Sequence, residues 1–562
     1  MEHSPEATTA ETQAETSSAT LGRHERTWIS DRRIALALCA LVLFGLALRV
    51  GGIAELGFAE DEINKLEAVE AYGRGRITPN AEHPMLMKTL IFISLSAARK
   101  WNDAQARDEG ALTTNLISEE AAVRFPNVLF GALTVIPLYL LTAAFFDQRT
   151  GLVAALLWAG GVNAITYNRI AKEDTLLVFF MLFAFYFYLR AKQTSGHAPQ
   201  AKRNFYIRSA LSFGLMFASK YFPHYFGLNM LYHHLVRQRE REPGEPRGRT
   251  PALFYPIVLL AFLIANPAIL LPETWRYLTA YSSEGLLTHH GYLMGDTLYP
   301  NLMSRTPFGT PVYFYLLFLA IKTPLPLLCA LIAGLVACAR GWRRPGEAFL
   351  LMMFVLWLVP YSLAGAKWLR YTLSLFPFIY MIAAVGIIWT LRLLAPHGAG
   401  RERDKSFSPL RIVRAVVFLF LIALPAWIAC AAGPHYAIYT NMLGAGRAGY
   451  FFPHDEFYDD NLREAIRYIC DRAPQGATIV HETPGVARHY LQQFNRTDLN
   501  SRVLSDPNFK LDETSRPAYF ILQRGRTYYE NRAKMDEVRG RGQKVYEGFV
   551  GGASAVEVYE IR

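Results

Sequence analysis

Apolar residues do not alternate with polar ones at a helical or strand period; they collect in uninterrupted blocks separated by short basic segments. Blocks such as 34–50, 176–189 and 416–432 hold almost no charge. About 20 apolar residues cross a hydrocarbon core of about 30 Å as a helix, so the pattern predicts an α-helical polytopic membrane protein. Spans are predicted near 34–53, 122–146, 151–167, 175–191, 205–219, 222–236, 251–271, 311–338, 347–363, 372–392 and 411–431, about eleven crossings.

With the N-terminus inside, the connections at 147–150, 190–208, 237–249, 340–344 and 392–411 fall on the cytoplasmic face, and nearly all are basic. The segments 54–120, 168–174, 272–310 and 364–371, with a short turn at Lys220, then lie outside. An odd number of spans exports everything after Ala432. The expected domains are a disordered cytoplasmic tail (1–33), a membrane domain (34–431) and a small soluble periplasmic α/β domain (432–562). In the last, Leu462, Ala465, Ile466 and Ile469 share one helix face, and Asn461 with Glu464 has capping-box spacing. Strands are predicted at 477–481, 519–523 and 555–561, with a helix over 529–539.

Composition narrows this only slightly. The 562 residues are 52% hydrophobic and 19% charged, which excludes a chain disordered throughout and a small disulfide scaffold. The net charge of +11 follows from the basic inside loops, so no nucleic-acid partner is implied. Cys39, Cys329, Cys338 and Cys430 lie in apolar blocks and Cys470 stands alone in the polar region, so no structural disulfide is predicted.

The sharpest chemical signal is in the first outside loop. Glu60, Asp61 and Glu62 open a segment in which Ile63, Leu66, Val69 and Tyr72 recur every third residue before Gly73 and Gly75, the mark of an amphipathic helix on the membrane surface. These acids either cap the helix or, at the outer end of the first span, supply a base that takes a proton from an acceptor hydroxyl. Downstream, Lys88 either snorkels or binds a phosphate as a point charge. Pro453-His454-Asp455-Glu456, with Asp459 and Asp460, has metal-cluster composition, but its place between a span and a helix assigns it to capping and solvation, and no metal site is predicted. His290, in the large outside loop, is a candidate contact to sugar or phosphate.

Asp61-Glu62 after the first span, followed by His83-Pro84-Met85-Leu86-Met87-Lys88, resembles the protein O-mannosyltransferase superfamily of C-type (GT-C) glycosyltransferases, which includes the transferases that add aminoarabinose to lipid A. The second element keeps His, Pro, Leu and Lys of the family's HPPLGK-like motif and loses its second Pro and its Gly. Val123-Arg124-Phe125-Pro126, Arg169-Ile170-Ala171-Lys172-Glu173-Asp174, Ser219-Lys220, Gly291-Tyr292-Leu293-Met294-Gly295, Lys322-Thr323-Pro324-Leu325-Pro326 and Lys367-Trp368-Leu369-Arg370-Tyr371 extend it over roughly 34–431.

The resemblance implies transfer of a sugar from a polyprenyl-phosphate carrier to an acceptor (protein, lipid A, glycan or lipid) at the outer face of the inner membrane. Asp61 would be the base, with Glu62 beside it. Asp174 would position acceptor or sugar, and Lys88, Lys367 and Arg370 would hold the carrier phosphate. His83, Tyr292, Lys322 and Tyr371 belong to the same motifs as substrate contacts, while Lys220, Arg124 and Arg169 either touch ligand or anchor the outside interface. Cationic side chains stabilise a departing phosphate, so no cofactor is required and a divalent metal is optional. The rival reading is a multi-span transporter or flippase for a lipid-linked sugar; the absence of repeated halves and the placing of the acids outside the spans count against it.

Overall fold

The computed structural model describes residues 31–107, 116–194, 198–221, 250–282, 290–302, 309–394 and 409–562. Residues 1–30 of the predicted tail (1–33), the span at 222–236 and the basic connection 237–249 lie outside these residues, while Arg32 and Arg33 already belong to the first helix.

Among the described residues six helices are long and apolar enough to cross a membrane: Arg32–Val50 (α1), Glu119–Phe145, Asp174–Gln193, Pro345–Leu363, Phe376–Leu393 and Ile412–Ala432. A seventh is counted if Gln148–Ala159 and Val162–Asn168, bent by 57°, form one span. The chain is therefore an integral membrane protein. Among the described residues the expected eleven are not reached, because one predicted span lies outside them and breakers divide several other blocks. Gly160 and Gly161 separate the bent pair, and Thr323 and Pro324 split 311–338 into Phe314–Lys322 and Leu325–Arg340. The block at 205–219 lies in Pro199–Ser219, whose first turns hold Lys202, Arg203 and Arg208.

The segment after α1, expected to be the first outside loop, folds as two helices, Glu60–Gly73 (α2) and Met85–Ala106 (α3), and leads to Glu119–Leu133 (α4), the first part of the next span. The spacing that predicts α2 is realised, but its apolar stripe does not face lipid. Ile63, Leu66 and Val69 are buried in a core with Met87 and Ile91 of α3 and with Leu462, Ile466, Ile479 and Val486 of the C-terminal region. Burying such side chains contributes about 1.5–3 kcal/mol each, so α2 is held by protein packing rather than by the bilayer surface. The helix starts where the Glu62 carboxylate folds back to accept the Ala59 N–H, satisfying a donor that a helix start leaves free.

The C-terminal region contains the expected α/β layering. Helices Leu462–Arg472 (α5) and Pro484–Gln493 (α6) pack beside a five-stranded sheet. With the hairpin strands Tyr292–Met294 (β1) and Thr297–Tyr299 (β2) counted first, its strands are Thr478–His481 (β3), Asn500–Val503 (β4), Ala518–Gln523 (β5), Gln543–Val550 (β6) and Ala553–Ile561 (β7), in the order β4-β3-β5-β7-β6. Strand β3 runs parallel to β4 and β5, and β7 antiparallel to β5 and β6. The predicted capping box does not form. Asn461 has φ +69° and sends its amide to the Phe549 carbonyl instead of the helix start. Because the sheet shares one core with α2 and α3, this region seats directly on those two helices.

Candidate active site

Asp61 occupies the first turn of α2 and is 29% exposed at its side chain. Three groups converge on one of its oxygens, Oδ2. Lys172 Nζ lies 2.6 Å away, the Tyr458 hydroxyl donates to it at 2.6 Å, and Arg370 Nη1 approaches to 3.8 Å. Among the described residues no hydrogen bond engages Oδ1. Burial alone would raise the Asp61 carboxyl, but Lys172, Arg370 and Lys65 together hold it well below the usual carboxylate range. Burial pulls the Lys172 ammonium down to about 8 despite its partner.

Each of these cations is aimed by its own loop. The backbone at 170–172 is tied down by Asn127, whose amide donates to the Ile170 and Lys172 carbonyls, and by Glu62, whose Oε1 accepts the Ala171 N–H at 3.0 Å. Arg370 sits in the turn Leu369–Ser374, fixed where Asp455 accepts the Leu369 N–H at 3.1 Å. Its guanidinium lies over Trp368 and Tyr371, 5.3 and 5.6 Å from their ring centres.

Asp61 lines a cavity of about 790 Å³ together with His83, Asp174, Lys220, Tyr292, Arg370 and Tyr371. Lys172, Tyr458 and Arg526 complete this wall. Asp174, at the start of the helix Asp174–Gln193, accepts Lys220 Nζ at 2.6 Å, and the same ammonium stands 4.8 Å from the Tyr371 ring centre. Burial pushes the His83 imidazole down to about 3, so it is neutral at ordinary pH. The cavity thus places an oxygen of Asp61 that has no hydrogen bond among the described residues close to several cations and aromatic faces, an arrangement able to bind an anionic headgroup beside a hydroxyl that must lose its proton.

Residues 111–271 match the sequence model of the family described as dolichyl-phosphate-mannose-protein mannosyltransferase. ArnT from Cupriavidus metallidurans in the apo state matches with a TM-score of 0.51 at 13% identity, covering 93% of this chain and 97% of that one. The chain has the fold of the C-type glycosyltransferases. ArnT from the same organism bound to undecaprenyl phosphate gives 0.49 at 14% identity, over 94% and 98% of the two chains. The Archaeoglobus fulgidus oligosaccharyltransferase tethered with an acceptor peptide gives 0.47 at 13% identity, over 84% and 64%. No curated protein sequence matches significantly.

On this C-type fold the remaining predicted residues are drawn away from the cavity. Glu62 is 1% exposed and pairs with Arg124 through Oε1 to Nε at 2.9 Å and Oε2 to Nη2 at 2.6 Å. Arg124 gives its other hydrogens to the Ile53, Leu56 and Gly57 carbonyls, so the pair locks the loop before α2. Lys88 is fully buried, with its ammonium taken up by the Pro79, Asn80 and His83 carbonyls, and it closes the 79–83 loop. Arg169 donates to the Gly51 and Gly52 carbonyls at the end of α1. Lys322 pairs with Glu456 at 2.8 Å, Lys367 donates to the Thr310 and Ala364 carbonyls, and His290 pairs with Glu530 at 2.6 Å near the surface.

The 454–460 segment also departs from its assigned role. Asp455, Glu456 and Asp459 are buried, and each has a partner: the Tyr292 hydroxyl, Lys322 and Arg526 respectively. They fix loops around the cavity where solvation was expected. Tyr458 and Arg526 had no motif to announce them, whereas Lys172 lay in plain view within the Arg169–Asp174 element.

Proposed function

We propose that this protein is a membrane glycosyltransferase that moves a sugar from a polyprenyl-phosphate carrier to an acceptor hydroxyl at the outer membrane face. The observation that carries this reading is the state of Asp61: Oδ2 is engaged by Lys172 and Tyr458, while Oδ1 has no hydrogen bond among the described residues, and the side chain lines a cavity shared with Arg370 and Lys220. The family description over 111–271, which names a lipid-phosphate sugar donor, supports the same reading. An outside position of α2, expected from the basic segment before α1, is part of the same reading.

In this scheme the donor phosphate lies against Arg370 and Lys220, with Tyr371 between them. The acceptor oxygen attacks the anomeric carbon opposite that phosphate. A new carbon–oxygen bond forms as the bond to the phosphate oxygen breaks, the polyprenyl phosphate leaves with the electron pair, and the anomeric centre inverts. The hydroxyl proton passes to Asp61 Oδ1. A carboxylate held below its ordinary basicity takes that proton late, once charge has built up on the sugar. The cations supply the stabilisation that a divalent ion gives where the leaving group is a nucleotide diphosphate. The test is consumption of radiolabelled undecaprenyl-phosphate hexoses and pentoses by membranes that contain or lack the chain. Donor consumption and release of undecaprenyl phosphate are expected with the chain present; passage of intact donor across vesicles without consumption would favour a transporter.

A further inference from the structure

Three residues of the short stretch 458–461 have left-handed backbone: Tyr458 with φ +44°, Asp459 with φ +66° and Asn461 with φ +69°. None is glycine, so each bears a steric cost that glycine would avoid, and such strain persists where the side chains are needed. Each side chain makes a defined contact in a different direction. Tyr458 donates to Asp61 Oδ2. Asp459 accepts from Arg526 Nε at 2.7 Å, from Gln523 at 3.0 Å and from the Glu60 N–H at 3.1 Å. Asn461 accepts from the Tyr546 hydroxyl at 2.8 Å and donates to the Phe549 carbonyl.

Arg526 follows the end of β5 and bridges the two halves of the site, since it binds Asp459 and also gives Nη1 to Glu60 Oε2 at 2.8 Å. Glu60 is the chain neighbour of Asp61. Arg526, just after β5 of the C-terminal sheet, thus grips both the strained turn and the start of α2.

We propose that Tyr458 is a positioning residue for Asp61, fixing Oδ2 so that Oδ1 alone meets the acceptor hydroxyl, and that the C-terminal region completes the active site by clamping the 458–461 turn through Arg526. This rests on the glycosyltransferase reading above, with Asp61 as base.

The test uses the full chain in native membranes and the radiolabelled undecaprenyl-phosphate sugar that the unaltered protein consumes. Tyr458→Phe, which keeps the ring and loses only the donor, should lower turnover about tenfold, leave the donor KM within about twofold and leave thermal unfolding unchanged. Arg526→Lys keeps the charge but cannot fork to Asp459 and Glu60; it should give a similar loss, and the double variant should be no worse than the poorer single one. Parent-level turnover in Tyr458→Phe, parallel losses of donor affinity and stability, or multiplying losses in the double variant would each overturn the proposal. If the unaltered chain consumes no donor, the glycosyltransferase reading fails on its own. The contact is then read by carbodiimide labelling of Asp61 in folded protein, which should be about tenfold faster in Tyr458→Phe if the phenol holds the carboxylate and equal if it does not.

Discussion

Tyr458 and Lys172 both meet Asp61 at the same oxygen, Oδ2, each at 2.6 Å, although they are far apart in the sequence. This shared contact separates the two oxygens of the carboxylate into one that is held and one that is available.

Asp61→Asn keeps the size of the side chain and removes the base. The variant is expected to insert and bind donor while losing roughly 10²–10⁴-fold in turnover, the usual worth of a positioned base. Single-turnover sugar transfer beside donor binding on the same membranes checks this, and retained turnover would exclude Asp61 as the base.

Arg370 and Lys220, not Lys88 or Lys367, border the cavity near Asp61. Arg370→Ala or Lys220→Ala should weaken retention of undecaprenyl phosphate about tenfold, since a charge-assisted contact to phosphate is worth about 1.5–3 kcal/mol. Equilibrium binding of the labelled lipid in detergent is the measurement.

Lys88→Ala strips the 79–83 carbonyls of their donor. A buried group left unsatisfied costs about 1–3 kcal/mol, so the apparent melting temperature should fall while lipid affinity per folded molecule holds. A loss of affinity without a loss of stability would return Lys88 to the donor site.

Glu482, at the end of β3, is 2% exposed, and burial pushes its carboxyl up to about 7 from an ordinary value of 4.5. The folded form therefore holds a proton that the unfolded chain has already released between pH 4.5 and 7. Its contribution to stability is complete below pH 4.5 and is lost as the pH rises through about 7, a difference of roughly 3 kcal/mol. Glu482→Gln should flatten the fall in melting temperature between pH 5 and pH 8, and an unchanged slope would assign that pH dependence to other groups.

Much of this protein is written locally. Uninterrupted apolar runs dictate helices because a backbone in lipid must satisfy its own hydrogen bonds, and the three-residue spacing from Ile63 to Tyr72 dictates α2 in the same way. Strands β3, β5 and β7 and the apolar face of α5 were equally legible, and so was the concentration of chemistry around Asp61 and the Arg169–Asp174 element. Which neighbour does the chemistry was decided elsewhere. Asp61 and Glu62 are consecutive, but a helix turns about 100° per residue, so one carboxylate meets the cavity and the other the core. Lys88 and Lys220 read alike as interfacial cations until the 79–83 loop supplied three carbonyls to one and Asp174 met the other. Tyr458 lies 397 residues from Asp61, and Arg526 lies 466 from Glu60. Contacts over that distance arise from the packing of a sheet against a membrane loop, a property of the folded whole that no local pattern encodes.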